Sequence, residues 1–154
     1  IPDSRLTDRA GNQVLMSKVT GKMSGDTTKC ENGMAERDIL FWLEEDREPT
    51  GHILNEIMDL KEKYEKIQKQ IIFILRSEDS LKNAILAKCL ELFPEIQVFF
   101  HDFGKDKEMT ARRMYVDSGK LPLMAITEGQ CQAIFATAGY SVGMADLLVR
   151  IFEA

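Results

Sequence analysis

The chain has 154 residues, 44% hydrophobic and 29% charged, a balance that suits one folded domain with a proper core and excludes a disordered chain. A net charge of −5 argues against nucleic acid or an anionic membrane as partner, because binding phosphate calls for a positive face. No apolar run has the length to span a bilayer, and the 3 cysteines and 2 histidines fit neither a disulfide framework nor a metal or cofactor site. No signal peptide shows in these residues, and a start on Ile1 rather than Met reads as a fragment of a larger protein or a processed form.

Residues 1–154 read as a single domain in three stretches: a hairpin over 1–16, a loop over 17–37 and a core over 38–154. In the hairpin, Asp8-Arg9-Ala10-Gly11-Asn12 supplies the turn, and Val14-Leu15-Met16 continue the second strand. The loop is polar and Gly-rich without periodicity, and it carries Cys30.

The core opens with Ile39-Leu40-Phe41-Trp42-Leu43, an unbroken apolar run that fits a strand buried on both faces. An acidic turn, Glu44-Glu45-Asp46-Arg47-Glu48, leads through Pro49 to Thr50, which reads as the N-cap of a helix to about Gln68. Its inner stripe is Ile53, Leu54, Ile57, Leu60, Tyr64 and Ile67. Gln70 to Leu75 is a second buried strand. Ser77 to Ser80 caps a helix over 81–93, with Leu81, Ile85, Cys89 and Leu92 inward, and Pro94 stops it. Ile96 to Phe100 is a third strand.

His101-Asp102 ends that strand, but neighbours on a strand point to opposite faces and make no dyad by adjacency. A helix over 107–117 follows. Pro122 stands at the start of a strand reaching Thr127, where a proline suits an edge or a bulge, and Glu128-Gly129 turns the chain into a last strand over 130–137, which carries Cys131. Ser141 caps a final helix with Met144, Leu147, Leu148, Ile151 and Phe152 on one face.

This order predicts an α/β fold. The β-α-β units require parallel strands with right-handed crossovers, and the closing strand pair is antiparallel, so the central sheet is mixed and flanked by helices. No Gly-rich phosphate loop follows either central strand.

The Phe41-Trp42 strand, the loop with Pro49 and the following helix resemble the active-site segment of the thioredoxin-like superfamily. The opening Pro2-Asp3…Leu6-Thr7-Asp8…Gly11…Val14, and an extra α-β unit over 81–100, resemble its peroxiredoxin and thiol-disulfide oxidoreductase branch. With one extra loop residue the resemblance places the redox tetrad on Arg47, Glu48, Pro49 and Thr50, and without it on Asp46, Arg47, Glu48 and Pro49; either way it is a degenerate CxxC with no cysteine. The resemblance makes Pro122 the family's cis-proline and Leu121 the residue whose backbone pairs with a bound peptide, so that Trp42, Leu121 and Pro122 border a peptide groove. The run from Leu40 to Ile57 also resembles the C-terminal thioredoxin-like domain of some bacterial transglutaminase-like proteins. That likeness implies a soluble bacterial protein, of cytoplasm or cell envelope, with the catalytic module upstream of these residues.

Three functions compete. A redox-inactive accessory module would bind another domain of its chain, or a protein or peptide partner, with the acidic loop favouring basic segments. A thiol-disulfide oxidoreductase-like or peroxiredoxin-like protein would use an atypical single cysteine, Cys30 or Cys131. A hydrolase or acyl-transfer site would centre on His52 or His101, although no serine or cysteine nucleophile stands near either in sequence. The missing thiolate and resolving thiol favour the first.

Overall fold

The structure is a computed structural model that describes residues 5–20, 36–44, 47–101, 122–129 and 132–154. Its centre is β3 (Arg37–Leu43), whose residues from Asp38 onward are all buried. β3 lies parallel to β4 (Ile71–Leu75), and β4 lies parallel to β5 (Gln97–Phe100). On the other side of β3, β6 (Leu123–Glu128) and then β7 (Ala133–Ala138) run antiparallel. The N-terminal hairpin, β1 (Arg5–Thr7) and β2 (Gln13–Leu15), joins through Thr7 opposite Phe100. The result is a 7-stranded mixed sheet in the order β2-β1-β5-β4-β3-β6-β7. The mixed α/β architecture expected from the element order is present.

Side chains alternate across a strand, so each apolar run feeds two layers. Ile39, Phe41 and Leu43 join Ile71, Phe73, Leu75, Met124 and Ile126 in the layer beneath the main helices. Phe41 and Phe73 meet edge to face at 5.5 Å and 88°, an arrangement aromatic quadrupoles favour. Leu40 and Trp42 join Ile72, Ile74, Leu123 and Ala125 on the opposite face, with Leu6, Met16 and Val19. The hairpin turn forms where Asp8 and Gly11 predict it. The Asp8 Oδ1 accepts from the N–H groups of Ala10 and Asn12 at 2.9 Å each, and Gly11 has φ 89°.

Several boundaries differ from the sequence reading. Met16 opens a short helix, α1 (Met16–Val19), instead of continuing β2. The long helix begins at Glu48 rather than after Thr50, and breaks at Leu60 (φ −98°, ψ 41°) into α2 (Glu48–Asp59) and α3 (Lys61–Ile67). Thr50 is therefore not its N-cap; Arg47 holds that position. Ser77 to Ser80 leads into a 3-10 turn, Glu78–Lys82, and the cap of α4 (Ala84–Leu92) is Asn83, whose Oδ1 accepts from Ile85 and Leu86 N–H at 3.1 Å. That later start rotates the stripe: Leu86, Cys89 and Phe93 are buried, while Ile85 is 37% exposed. The final helix, α5 (Met144–Glu153), buries Met144, Ala145, Leu148 and Val149 and leaves Leu147 43% exposed. The expected helix over 107–117 lies outside the described residues. Among the described residues no helix is long and apolar enough to cross a membrane.

Candidate functional site

The strand-loop-helix unit expected to carry the chemistry is β3, its exit at Glu44 and the first turns of α2. At that exit Glu44 is held between two cations, Arg47 Nε at 3.1 Å and Arg76 Nη1 at 3.8 Å. One carboxylate of the acidic turn is thus already matched by charge. Glu48 keeps an exposed side chain, and Glu45 and Asp46 lie outside the described residues.

Pro49 stands in the first turn of α2, where a missing N–H costs nothing because no carbonyl awaits it. The turn closes with Thr50 N–H donating to the Arg47 carbonyl at 3.1 Å. Arg47 is exposed and Thr50 is 1% exposed, so the first and last positions of the expected tetrad sit outside and inside the helix start. Among the described residues the Thr50 Oγ1 has no hydrogen-bond partner. An unpaired buried hydroxyl costs about 1–3 kcal/mol, so Thr50→Val, nearly the same shape, should raise stability by about 1 kcal/mol in denaturant titration. A cleft of about 390 Å³ opens here between α2 and the start of α4, lined among others by Arg47, Glu48, Asn55, Asn83 and Ile85.

Trp42 is 3% exposed, and its side chain belongs to the core layer on the face away from α2. It pairs in register with Leu123. The same register carried one residue further sets Pro122 across from Leu43, and the buried Pro122 gives its carbonyl to Gly139 N–H at 2.9 Å. Trp42 and Pro122 therefore stand near one end of the sheet, Pro122 one register step beyond the Trp42–Leu123 pair. Leu121 lies outside the described residues, and with it the geometry of its bond to Pro122.

His52 points elsewhere. Its Nε2 lies 3.2 Å from Glu48 Oε1, and its ring stacks on Tyr140 at 5.2 Å and 25°. Tyr140 donates its hydroxyl to Glu56. The hydrogen bond to Glu56, then burial and the nearby negative charge, hold the phenol above its ordinary pKa. The Glu56 carboxylate also accepts from the N–H groups of Gly143 and Ala145 at 3.1 Å each. Those are orphan donors at the start of α5, whose N-cap Gly143 has no side chain to satisfy them. Burial pushes the Glu56 carboxyl up, but the bonds from Tyr140, Ala145 and Gly143, with His52 nearby, outweigh it and leave the net below the usual value. The group is a latch between α2 and α5: no serine, threonine or cysteine is bonded to His52 among the described residues, and a raised phenol is a poor nucleophile.

The other end of α5 is held too. Arg37 Nη1 reaches the carbonyls of Ile151 and Phe152 at 3.3 and 3.1 Å, and the guanidinium pairs with Glu128 at 3.4 Å. Glu56, Tyr140 and Arg37 were not singled out by sequence reasoning. The one local signal was Glu48, His52 and Glu56 at steps of four, a polar stripe on one helix face.

Cys89 is buried in the helix-side core, and burial pushes its thiol up to about 12, so it is no nucleophile. Cys30, Cys131 and Asp102 lie outside the described residues. The His101 N–H donates to the Leu75 carbonyl at 2.8 Å, extending the β4–β5 ladder. Among the described residues no three of His, Cys, Asp and Glu are grouped to hold a metal.

No family model matches the chain, and neither does any curated protein. Solved structures do. A Chlorobium tepidum protein described as a thiol:disulfide interchange protein DsbE superposes with TM-score 0.57 at 18% identity, over 97% of this chain and 89% of that one. A cysteine-to-serine mutant of Xanthomonas campestris peroxiredoxin Q gives 0.59 at 15% identity, over 98% and 90%. An uncharacterized thioredoxin-like protein from Porphyromonas gingivalis gives 0.55 at 21% identity, over 99% and 89%. The fold is thioredoxin-like. In this chain the β3 exit, the α2 start and the strand beginning after Pro122 share one end of the sheet.

Proposed function

We propose that this chain is a redox-inactive thioredoxin-like interaction module that binds an extended segment of another domain or protein. The observation that carries the reading is the start of α2, where Arg47 is exposed and Thr50 buried at the two positions from which thiol chemistry would need cysteines. The binding surface is the loop from Glu44 to Thr50 together with the chain at Leu121-Pro122. Main-chain pairing with an extended segment needs no thiol, so such a surface has a use without the cysteines. Glu45, Asp46 and Glu48 favour a basic segment; Glu44 adds little, being matched by Arg47 and Arg76. We also read the module as one that follows a transglutaminase-like module in a longer chain, on the strength of the run from Leu40 to Ile57, and the reading frame upstream of Ile1 tests that.

Two measurements on the same sample test the binding proposal. In an insulin-reduction assay the protein should give no turnover. In an amide shift titration with a Lys/Arg-rich extended peptide, the amides of residues 42–48, 50, 123 and 124 should move, and the affinity should fall as salt is raised, because exposed charges are screened. Insulin reduction that disappears in Cys30→Ser or Cys131→Ser would replace this reading with a thiol enzyme. Absence of both turnover and loop shifts with the peptide would remove the groove.

A further inference from the structure

β5 lies between β4 and β1 in the sheet, so the turn after β4 and the turn of the hairpin flank it from its two sides. Between them, along α4, opens a cleft of about 660 Å³. Open α/β sheets take ligands in crevices at the carboxyl ends of their strands, and Phe100, the last residue of β5, lines this one. β5 stands two strands away from β3, and among the described residues the cleft shares no lining residue with the loop from Glu44 to Thr50. Its floor is apolar. Phe100 is buried, and Leu81 and Leu90 are half-buried and pack on the same core layer.

Backbone hydrogen bonds hold both walls. β1 meets β5 in register at Thr7 and Phe100, and the chain then turns away with Arg9. Asp8 closes that turn: its N–H donates to the Asn12 carbonyl at 2.9 Å, and its carbonyl accepts from Gly11 N–H at 3.1 Å. The Asp8 carboxylate is used inside the turn, on the N–H groups of Ala10 and Asn12. On the other wall Glu78–Lys82 winds as a 3-10 turn, with Ser80 N–H donating to the Ser77 carbonyl at 3.1 Å and Asn83 N–H to the Ser80 carbonyl at 3.2 Å. Four charged side chains line the rim: Arg9 on the first wall, and Glu78, Asp79 and Lys82 on the second. Lys82 and Asp79 match each other at 3.3 Å. Among the described residues the side chains of Arg9 and Glu78 have no hydrogen-bond or ion-pair partner.

We propose that this cleft binds a short apolar peptide with free termini, its carboxylate on Arg9 and its ammonium on Glu78, its side chains over the Phe100 floor. The lining selects that class. Two cations and two carboxylates cancel, so a phosphate ester would meet the acids and a polyamine the bases. A sugar would leave hydroxyls unpaired on the apolar floor. One uncommitted charge of each sign, on facing walls, matches a zwitterion, and charge-assisted hydrogen bonds at both ends fix its direction. A cleft of this size takes a drug-sized ligand, which means two or three residues rather than a free amino acid. Because both walls are already tied, binding orders little of the protein. The site is independent of the groove beside residues 44–50.

An amide shift titration of the full chain with leucyl-leucine, up to about 10 mM, should move residues 9, 78–82, 87, 90 and 100 and leave 42–48 in place. Arg9→Gln and Glu78→Gln should each weaken binding about tenfold. Capped ligands report which end meets which residue. Leucyl-leucine amide, which lacks the carboxylate, should bind the wild type about tenfold more weakly than the free dipeptide and lose nothing further in Arg9→Gln. N-acetyl-leucyl-leucine, which lacks the ammonium, should behave the same way toward Glu78→Gln. Ala87 lines the cleft from an exposed position of α4, so Ala87→Trp should fill the cleft and abolish binding with the melting temperature kept. Lys88→Gln, also exposed but outside the lining, should bind as the wild type does. No shift up to the highest concentration, or shifts confined to 42–48, overturns the proposal. A dipeptide capped at both ends that binds as tightly as the free one overturns it too, because the cleft would then be an apolar patch without charge recognition.

Discussion

Glu56→Ala should lower stability by about 3 kcal/mol, roughly 6–12 °C in melting temperature for a chain of this size. The carboxylate takes a hydrogen bond from Tyr140 and one each from Gly143 and Ala145, and the last two are the otherwise unpaired donors of α5. Loss of a helix cap costs about 1–2 kcal/mol, and hydrogen bonds to a charged acceptor about 1.5–3. Nothing local replaces the cap, because Gly143 holds the N-cap position with φ 86°. The effect is limited by Tyr64, whose hydroxyl still donates to the Ala145 carbonyl at 2.7 Å, and by Arg37 at the far end. Glu56→Gln keeps one acceptor oxygen and should lose about half as much.

The pH dependence has a definite sign. The folded carboxyl titrates below its ordinary value of 4.5, so its contribution is fully present above that value and is lost as pH falls through the folded pKa. Melts by circular dichroism should show the gap between wild type and Glu56→Gln constant from neutral pH to roughly pH 5 and closing toward pH 3. A gap unchanged in acid would mean that the carboxylate's charge contributes nothing to the latch.

Local pattern carried most of the fold. The apolar runs at β3 and β4 announced strands buried on both faces, and the odd and even residues of each divide into the two core layers as a period of two requires. Helix phase was harder. Leu60 and Tyr64 keep the four-residue step across the break between α2 and α3, so periodicity continues through a point where the backbone does not. Thr50 looked like a cap because threonine commonly is one, yet proline favours the first helical turn, which already implied a start ahead of Pro49. Starting α4 after Asn83 turned Ile85 outward and Leu86 inward. At the site, only Glu44, Arg47 and the tetrad were reachable from the chain itself. Glu56, Tyr140 and Arg37 act on elements far away in sequence, and no local spacing encodes a cap supplied by another helix.

The double variant Arg47→Cys/Thr50→Cys should turn the chain into a dithiol reductant. Positions three apart in a helical turn place their Cβ atoms about 5–6 Å apart, and the first turn here is closed by the Thr50-to-Arg47 hydrogen bond. Small side-chain adjustments at such a turn bring two sulfurs to bonding distance. The thiol at position 47 would stand exposed at the positive end of a 12-residue helix, which favours its thiolate, while the one at position 50 would be buried and act second. Glu44 opposes this, because losing Arg47 leaves it with Arg76 alone at 3.8 Å, and a carboxylate close to a thiol raises its pKa. Adding Glu44→Gln should therefore speed the reaction further. In a Cys30→Ser/Cys131→Ser background, insulin turbidity with dithiothreitol should go from none above blank to readily measurable. Arg47→Cys alone should label with iodoacetamide but not turn over, since nothing resolves the mixed disulfide. Should the double variant hold two free thiols under mild oxidation, the loop lacks the thiol geometry of this fold, and the reading of residues 47–50 as a former redox tetrad fails with it.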